Sequence, residues 1–301
     1  MIFGILSGFV AAALQSSSYV FSRWFILKHH GTLELVIYSQ IAMGLAGLLL
    51  LPLAMPWGIF PLQKEFLCLF CGWLLSGTAS QYCFFKTLRE LEASRLSSLL
   101  GLKIIILALI YILLEHRGLN ALQWCAVFLS SFAGMGMNWS GGRISPRAGI
   151  WLLLTLLLYS ISDIFVTKMV LSAHGPSLLM DSLGMTALIY CVLGICSLPV
   201  LMLRKVRKSV RLFRDSVPYA LAWFLAMIFL FACFATLNVV FGNVIQATRC
   251  VISVLLGILL MKAGFLRLEP PAGKGAWIRR VCASFLMLCA VFLYSWSGTG
   301  S

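Results

Sequence analysis

A chain of 301 residues, 61% hydrophobic and only 11% charged, cannot close into a water-soluble globule, whose usual proportions are about 45–50% and about 25%. Its formal net charge of +14 comes from 23 Lys and Arg against 9 Asp and Glu. Because the bases gather between apolar runs, this balance reads as a signal of membrane topology rather than as a nucleic-acid surface.

A membrane-spanning helix needs about 20 apolar residues, since it must cross about 30 Å of hydrocarbon at about 1.5 Å per residue. The first such run covers 2–22 and has neither a basic leader nor a small-residue cleavage site, so it is expected to span rather than to be removed. Runs over 33–55, 66–86, 91–114, 119–139, 148–170, 178–203, 217–237, 242–264 and 277–297 bring the expected number of spans to ten. The links are short, and only 204–215 and 265–275 have appreciable polar character. No room is left for a soluble domain.

Lys and Arg between the spans divide 16 to 3 in favour of the side opposite the N-terminus, with Arg204, Lys205, Arg207, Lys208, Arg211 and Arg214 forming the densest cluster. By the positive-inside rule that side faces the cytoplasm, including the Arg204–Arg214 loop, and both termini lie outside. A basic loop between two spans serves orientation and anionic lipid contact. The ten cysteines sit within apolar runs and read as small hydrophobes, the Cys68-x-x-Cys71 pair included. Trp57, Trp73, Trp124, Trp139, Trp151, Trp223, Trp277 and Trp296 fall mostly near span ends, as interfacial belts do.

The chain repeats itself. Ser16 to Phe21, continuing to His30-Gly31, aligns without a gap on Ser160 to Phe165, continuing to His174-Gly175. Further on, Gly47 and Pro52 fall opposite Gly194 and Pro199, Ala93-Ser94-Arg95 opposite Ala247-Thr248-Arg249, and Trp139-Ser140 opposite Trp296-Ser297. A unit of five spans ends on the side opposite its start, so its tandem copy must enter the membrane inverted. The expected fold is therefore an all-α membrane protein of ten transmembrane helices in two inverted five-helix repeats, 1–140 and 141–301. Secondary transporters use this architecture to place two gates around one midplane site.

Ten spans in two copies of five, the polar link Leu114-Glu115-His116-Arg117-Gly118-Leu119 and the glycine periodicity of Phe132-Ala133-Gly134-Met135-Gly136 resemble the drug/metabolite transporter superfamily, and its EamA-like ten-helix members in particular. The resemblance implies a central cavity lined by the first, third, fourth, sixth, eighth and ninth spans. It further implies a small-metabolite substrate and dimer contacts through the fifth and tenth spans, hence a homodimer. It also implies cytoplasmic termini, whereas the charge count places them outside. The second half departs from the pattern, with Lys262 and Arg267-Leu268-Glu269 where the first half has Leu114-Glu115-His116.

Polar residues inside the spans are the candidate substrate site. Arg249 lies about 10 Å below one face and Arg95 about as far from the other, so both could reach a midplane site from opposite sides. Paired arginines grip carboxylate or phosphate. The alternative is that Arg95 snorkels and Arg249 pairs with Asp163. Asp163, an acid well inside a span, reads either as a proton-coupling or substrate-amine site or as half of a salt bridge. Its repeat partner is Tyr19. Lys103, two turns beyond Arg95, is either a third cavity cation or half of a buried pair. Gln15, Ser18, Gln40, Gln81, Tyr82, Asn238, Asn243 and Gln246 could line a cavity or bond helix to helix.

The histidines fall in links, the acids form no metal-binding pair, and a phosphate-cradling Gly-Lys loop is absent, so neither a cofactor nor a metal is implied and enzyme chemistry is disfavoured. The expectation is a secondary transporter of the inner, cytoplasmic bacterial membrane. It would move a small anionic or zwitterionic solute, such as an amino acid, carboxylate or phosphorylated compound, by alternating access with a coupling proton or counter-substrate. The alternatives are a flippase for a lipid-linked substrate and, less favoured, a membrane-embedded enzyme.

Overall fold

A computed structural model of the chain describes residues 1–29, 31–54, 64–90, 99–115, 118–137, 144–173, 175–202, 206–262 and 274–297, and the regular elements among them are all helical. They are α1 (Ile2–His29), α2 (Thr32–Ala54), α3 (Lys64–Glu90), a 3₁₀ turn (Leu100–Leu102) leading into α4 (Lys103–Glu115), α5 (Ala121–Met137), α6 (Pro146–Ser172), α7 (Leu178–Leu201), α8 (Val210–Leu237), α9 (Val239–Ala247), α10 (Arg249–Lys262) and α11 (Lys274–Ser297).

Seven stretches among the described residues are long and apolar enough to cross a bilayer: α1, α2, α6, α7, α8, α9 continued into α10, and α11. Two shorter apolar helices, Leu100–Leu114 and Ala121–Gly136, lie where the fourth and fifth spans were expected. α3 occupies the third, but Ser76, Thr78, Ser80 and Gln81 dilute its apolar character and charges crowd both its ends. Residues 91–98, which open the expected fourth span, lie outside the described residues.

The helices gather into two compact units. The first takes Met1–Pro61, Val170–Thr236 and Ile252–Pro271; the second takes Leu62–Met169, Leu237–Val251 and Ala272–Ser301. Neither unit follows the sequence halves, because each draws helices from both.

In the first unit α2 lies along α7 with almost nothing between the two backbones. A Cβ on Gly44 would come within 2.8 Å of the Gly194 Cα, and one on Gly47 within 2.5 Å of the Ala187 carbonyl oxygen, so only glycine fits this seam. Close backbone approach through small residues is how helices associate where lipid removes the hydrophobic drive. Phe25, Leu35, Tyr38 and Leu212 form a buried cluster at one end of this unit. Deeper in, Trp223 Nε1 donates to the Tyr190 hydroxyl at 2.7 Å, satisfying two polar atoms within otherwise apolar packing.

In the second unit α5 lies along α11, and Gly101 in the 3₁₀ turn meets Gly134 of α5, where an added Cβ would stand 3.4 Å from the Gly134 Cα. Leu99, Ala148, Leu152 and Leu156 are its buried cluster. α9 is fastened to α11 by the stacked rings of Phe241 and Tyr294, 4.5 Å apart and within 10° of parallel.

Candidate functional site

The polar centre of the second unit is built on α6, α4 and α9. Asp163 lies about two thirds of the way along α6, an apolar helix whose preceding turns carry no other charge back to Arg147. A carboxylate there needs partners, because burying an isolated charge in a membrane costs several kcal/mol. It has two. Lys103 Nζ approaches Asp163 Oδ2 to 2.5 Å, and Asn243 Nδ2 donates to the same oxygen at 2.9 Å.

Each partner arrives by a local irregularity. Lys103 is the first residue of α4, placed where the 3₁₀ turn ends, and apolar residues follow it until Glu115. Its ammonium also lies 5.9 Å from the Tyr159 ring centre, one turn before Asp163 on α6. Asn243 rides on α9, a helix of only 9 residues interrupted at both ends. At its start, Asn238 holds φ at 120° and accepts a hydrogen bond from the Phe241 amide at 2.8 Å. That backbone region is natural to glycine and costs other residues about 1–3 kcal/mol. At its end, Thr248 directs both its amide (2.9 Å) and its hydroxyl (2.6 Å) to the Ile245 carbonyl, closing the helix with a turn before α10.

Both N–H groups of the Asn243 amide are committed, since the same nitrogen also donates to the Val239 carbonyl at 2.9 Å. With one N–H fixed within its own helix and the other on Asp163, it acts as a rigid donor. The Lys103 and Asp163 side chains remain 17% and 18% exposed, so the pair is screened from its surroundings without being sealed. Its net charge is zero. One cation and one anion, brought from separate helices and oriented by a fixed amide, can receive the opposite charges of a small dipolar solute, or an anion together with a proton.

Of the residues read from the sequence, the structure thus brings together Lys103, Asp163 and Asn243. Lys103 is half of a pair, and Asp163 supplies the other half. Gln246 and Arg249 are half-buried at the end of α9 and the start of α10. Gln81 and Tyr82 are exposed on α3, the Tyr82 ring edge-on to Trp151. In the first unit Gln15 and Ser18 are buried on α1, with the Ser18 hydroxyl donating to the Gln15 carbonyl at 2.7 Å. Tyr19, 41% exposed, stands edge-on to Trp223. Arg95 lies outside the described residues. Tyr159 was not singled out from sequence, though its spacing of four from Asp163 places it on the same helical face.

A second polar cluster, also unforeseen, ties the end of α1 and the start of α2 to the α7–α8 link and the start of α8 in the first unit. Asp215 Oδ2 meets Lys28 Nζ at 2.7 Å and His29 Nε2 at 2.8 Å. Arg207 Nε donates to Glu34 Oε1 at 3.0 Å and its Nη2 to the His29 carbonyl at 2.7 Å. Both acids are buried, Asp215 against Lys28 and His29 of the last turn of α1 and Glu34 against Arg207 of the α7–α8 link. Among the described residues no three His, Cys, Asp or Glu side chains gather to hold a metal ion.

Residues 2–139 match the model of the EamA-like transporter family. A crystal structure of a protein superposes with a TM-score of 0.65 at 15% identity, covering 96% of this chain and 95% of that chain, a likeness that shows the fold. No curated protein matches the sequence. With apolar helices long enough to cross a bilayer among its described residues, the chain is an integral membrane protein, and over residues 2–139 it is similar to the EamA-like transporter family of the drug/metabolite transporter superfamily.

Proposed function

We propose that the chain is a secondary transporter that moves a small zwitterionic or anionic organic solute, of the amino acid, carboxylate or phosphorylated type, by alternating access, rather than an enzyme or a flippase for lipid-linked substrates. The observation that carries this reading is the Lys103–Asp163 pair, 2.5 Å apart and steadied by Asn243. A zwitterion entering such a site gives its carboxylate to Lys103 and its ammonium to Asp163, exchanging one internal pair for two external ones with no change in net charge. A simple anion can take Lys103 only if Asp163 gains a proton, which makes that proton the coupling ion. Arg249, with Arg95 as its repeat partner, supplies further positive charge for an anionic group, and Gln246 and Tyr159 add polar and aromatic surface.

The architecture that serves this function is ten spans in two inverted repeats, 1–140 and 141–301. In support, the two closest helix pairings, α2 with α7 and α5 with α11, each join repeat-equivalent helices. We place the protein in a bacterial inner membrane, with the Arg204–Arg214 loop cytoplasmic, and expect a homodimer.

Flux measurements in proteoliposomes test the proposal. A Lys103→Met/Asp163→Asn double variant preserves the packing of the pair but removes its charges. It is expected to reconstitute normally and to lose at least tenfold in uptake or exchange of any solute the wild type carries. Wild-type flux in that variant refutes the site.

A further inference from the structure

α8 carries an outward stripe that the transport site does not use. Arg211, Arg214, Leu221 and Leu225 are all exposed, and at about 100° per residue they fall within an arc of about 80° on the helix surface. The first two lie in the opening turns of α8 and the last two deeper along the same span. From Arg214 to Leu225 the helix rises about 16 Å, close to the roughly 15 Å half-thickness of a bilayer's hydrocarbon core. The stripe therefore offers guanidinium groups at headgroup depth and aliphatic side chains along the length of one acyl chain.

Among the described residues, the acids at this end of the unit are already engaged. Glu34 is held by Arg207, and Asp215, only 7% exposed, is held through Oδ2 by Lys28 and His29. Arg214 lies 3.8 Å from the other Asp215 oxygen, beyond hydrogen-bond reach, with 76% of its side chain exposed. The outward cations face no exposed carboxylate on the stripe. A phosphate is complementary to them, whereas the ammonium of a zwitterionic headgroup would meet only like charge.

We propose that the Arg211–Arg214–Leu221–Leu225 stripe of α8 binds a single anionic phospholipid of the surrounding leaflet, its phosphate on the two arginines and an acyl chain along the two leucines. The site is independent of the solute carried.

Native mass spectrometry of the full chain, released from a neutral detergent and titrated with phosphatidylglycerol or phosphatidylcholine, reads this directly. Wild type is expected to retain phosphatidylglycerol in preference to phosphatidylcholine, and Arg211→Gln/Arg214→Gln to retain about tenfold less of the former with no change in the latter. Arg214→Gln alone should lose about threefold. Soluble glycerol phosphate should not displace the lipid, because it lacks the chain that the leucines hold. Arg147→Gln, which removes an exposed arginine from the start of α6, serves as the control and should stay within twofold of wild type. Equal retention of both lipids by wild type, unchanged phosphatidylglycerol retention by the double variant, or an equal loss in Arg147→Gln would each overturn the proposal.

Discussion

Cutting the Lys103–Asp163 pair one side at a time, and then both together, gives a measurement whose size the geometry sets in advance. Removing one member of a buried ion pair costs about 3–5 kcal/mol, mostly because the survivor is left uncompensated, while replacing both by neutral groups of similar shape costs little. After Lys103→Met the carboxylate still has the Asn243 amide at 2.9 Å, which places that loss near the lower end, about 3 kcal/mol. After Asp163→Asn the ammonium keeps the Tyr159 ring, a weaker partner at 5.9 Å, and the loss is again about 3 kcal/mol. The double variant should lose no more than about 1 kcal/mol, so the coupling in the cycle is about 5 kcal/mol. Unfolding by sodium dodecyl sulfate in mixed micelles, followed by tryptophan fluorescence, measures all four species. A coupling below about 0.5 kcal/mol, the range of simple additivity, would show that the two charges do not hold each other.

Two further pairs of variants probe the backbone. Asn238→Gly should match wild type or exceed it by about 1 kcal/mol, because relief of the φ of 120° offsets the lost cap, while Asn238→Ala should lose about 1 kcal/mol or more. Equal stability of the two in the same unfolding assay would remove the argument for strain. Gly47→Ala places a Cβ 2.5 Å from the Ala187 carbonyl oxygen and should cost about 1–3 kcal/mol, whereas Gly149→Ala, with nothing within 4 Å, should gain about 0.5 kcal/mol. The same sign for both would mean that the α2–α7 seam is looser than described.

The span ends that hydropathy places short are those that are charged but still helical. The first span was expected over 2–22 and the eighth over 217–237, yet α1 continues to His29 and α8 begins at Val210. Hydropathy registers where the hydrocarbon ends, whereas a helix continues into water wherever its side chains find partners, as Lys28 and Asp215 do. The ninth span was expected as one helix over 242–264, but α9 and α10 meet at Thr248, the middle residue of the Ala-Thr-Arg motif that echoes Ala93-Ser94-Arg95. The repeat marked a place of interest without revealing that it is a break, because the break depends on the Thr248 hydroxyl competing for a carbonyl. In the same way, Asp163 was legible as a residue needing a partner. That Lys103 supplies one could not be read, since 60 residues separate them and only the arrangement of α4 against α6 brings them together.

The interleaved make-up of the two units bears on how the chain is born. α5 finishes at Met137 and its long-axis companion α11 begins only at Lys274, so at about 5–20 residues per second α5 waits roughly 7–27 s in the membrane before its neighbour is synthesised. α2 waits in the same way for α7. Insertion and assembly are therefore separate events in time for this protein. During the interval the glycine-lined surface of α2 and the small-residue surface of α5 lack the helices they finally pack against.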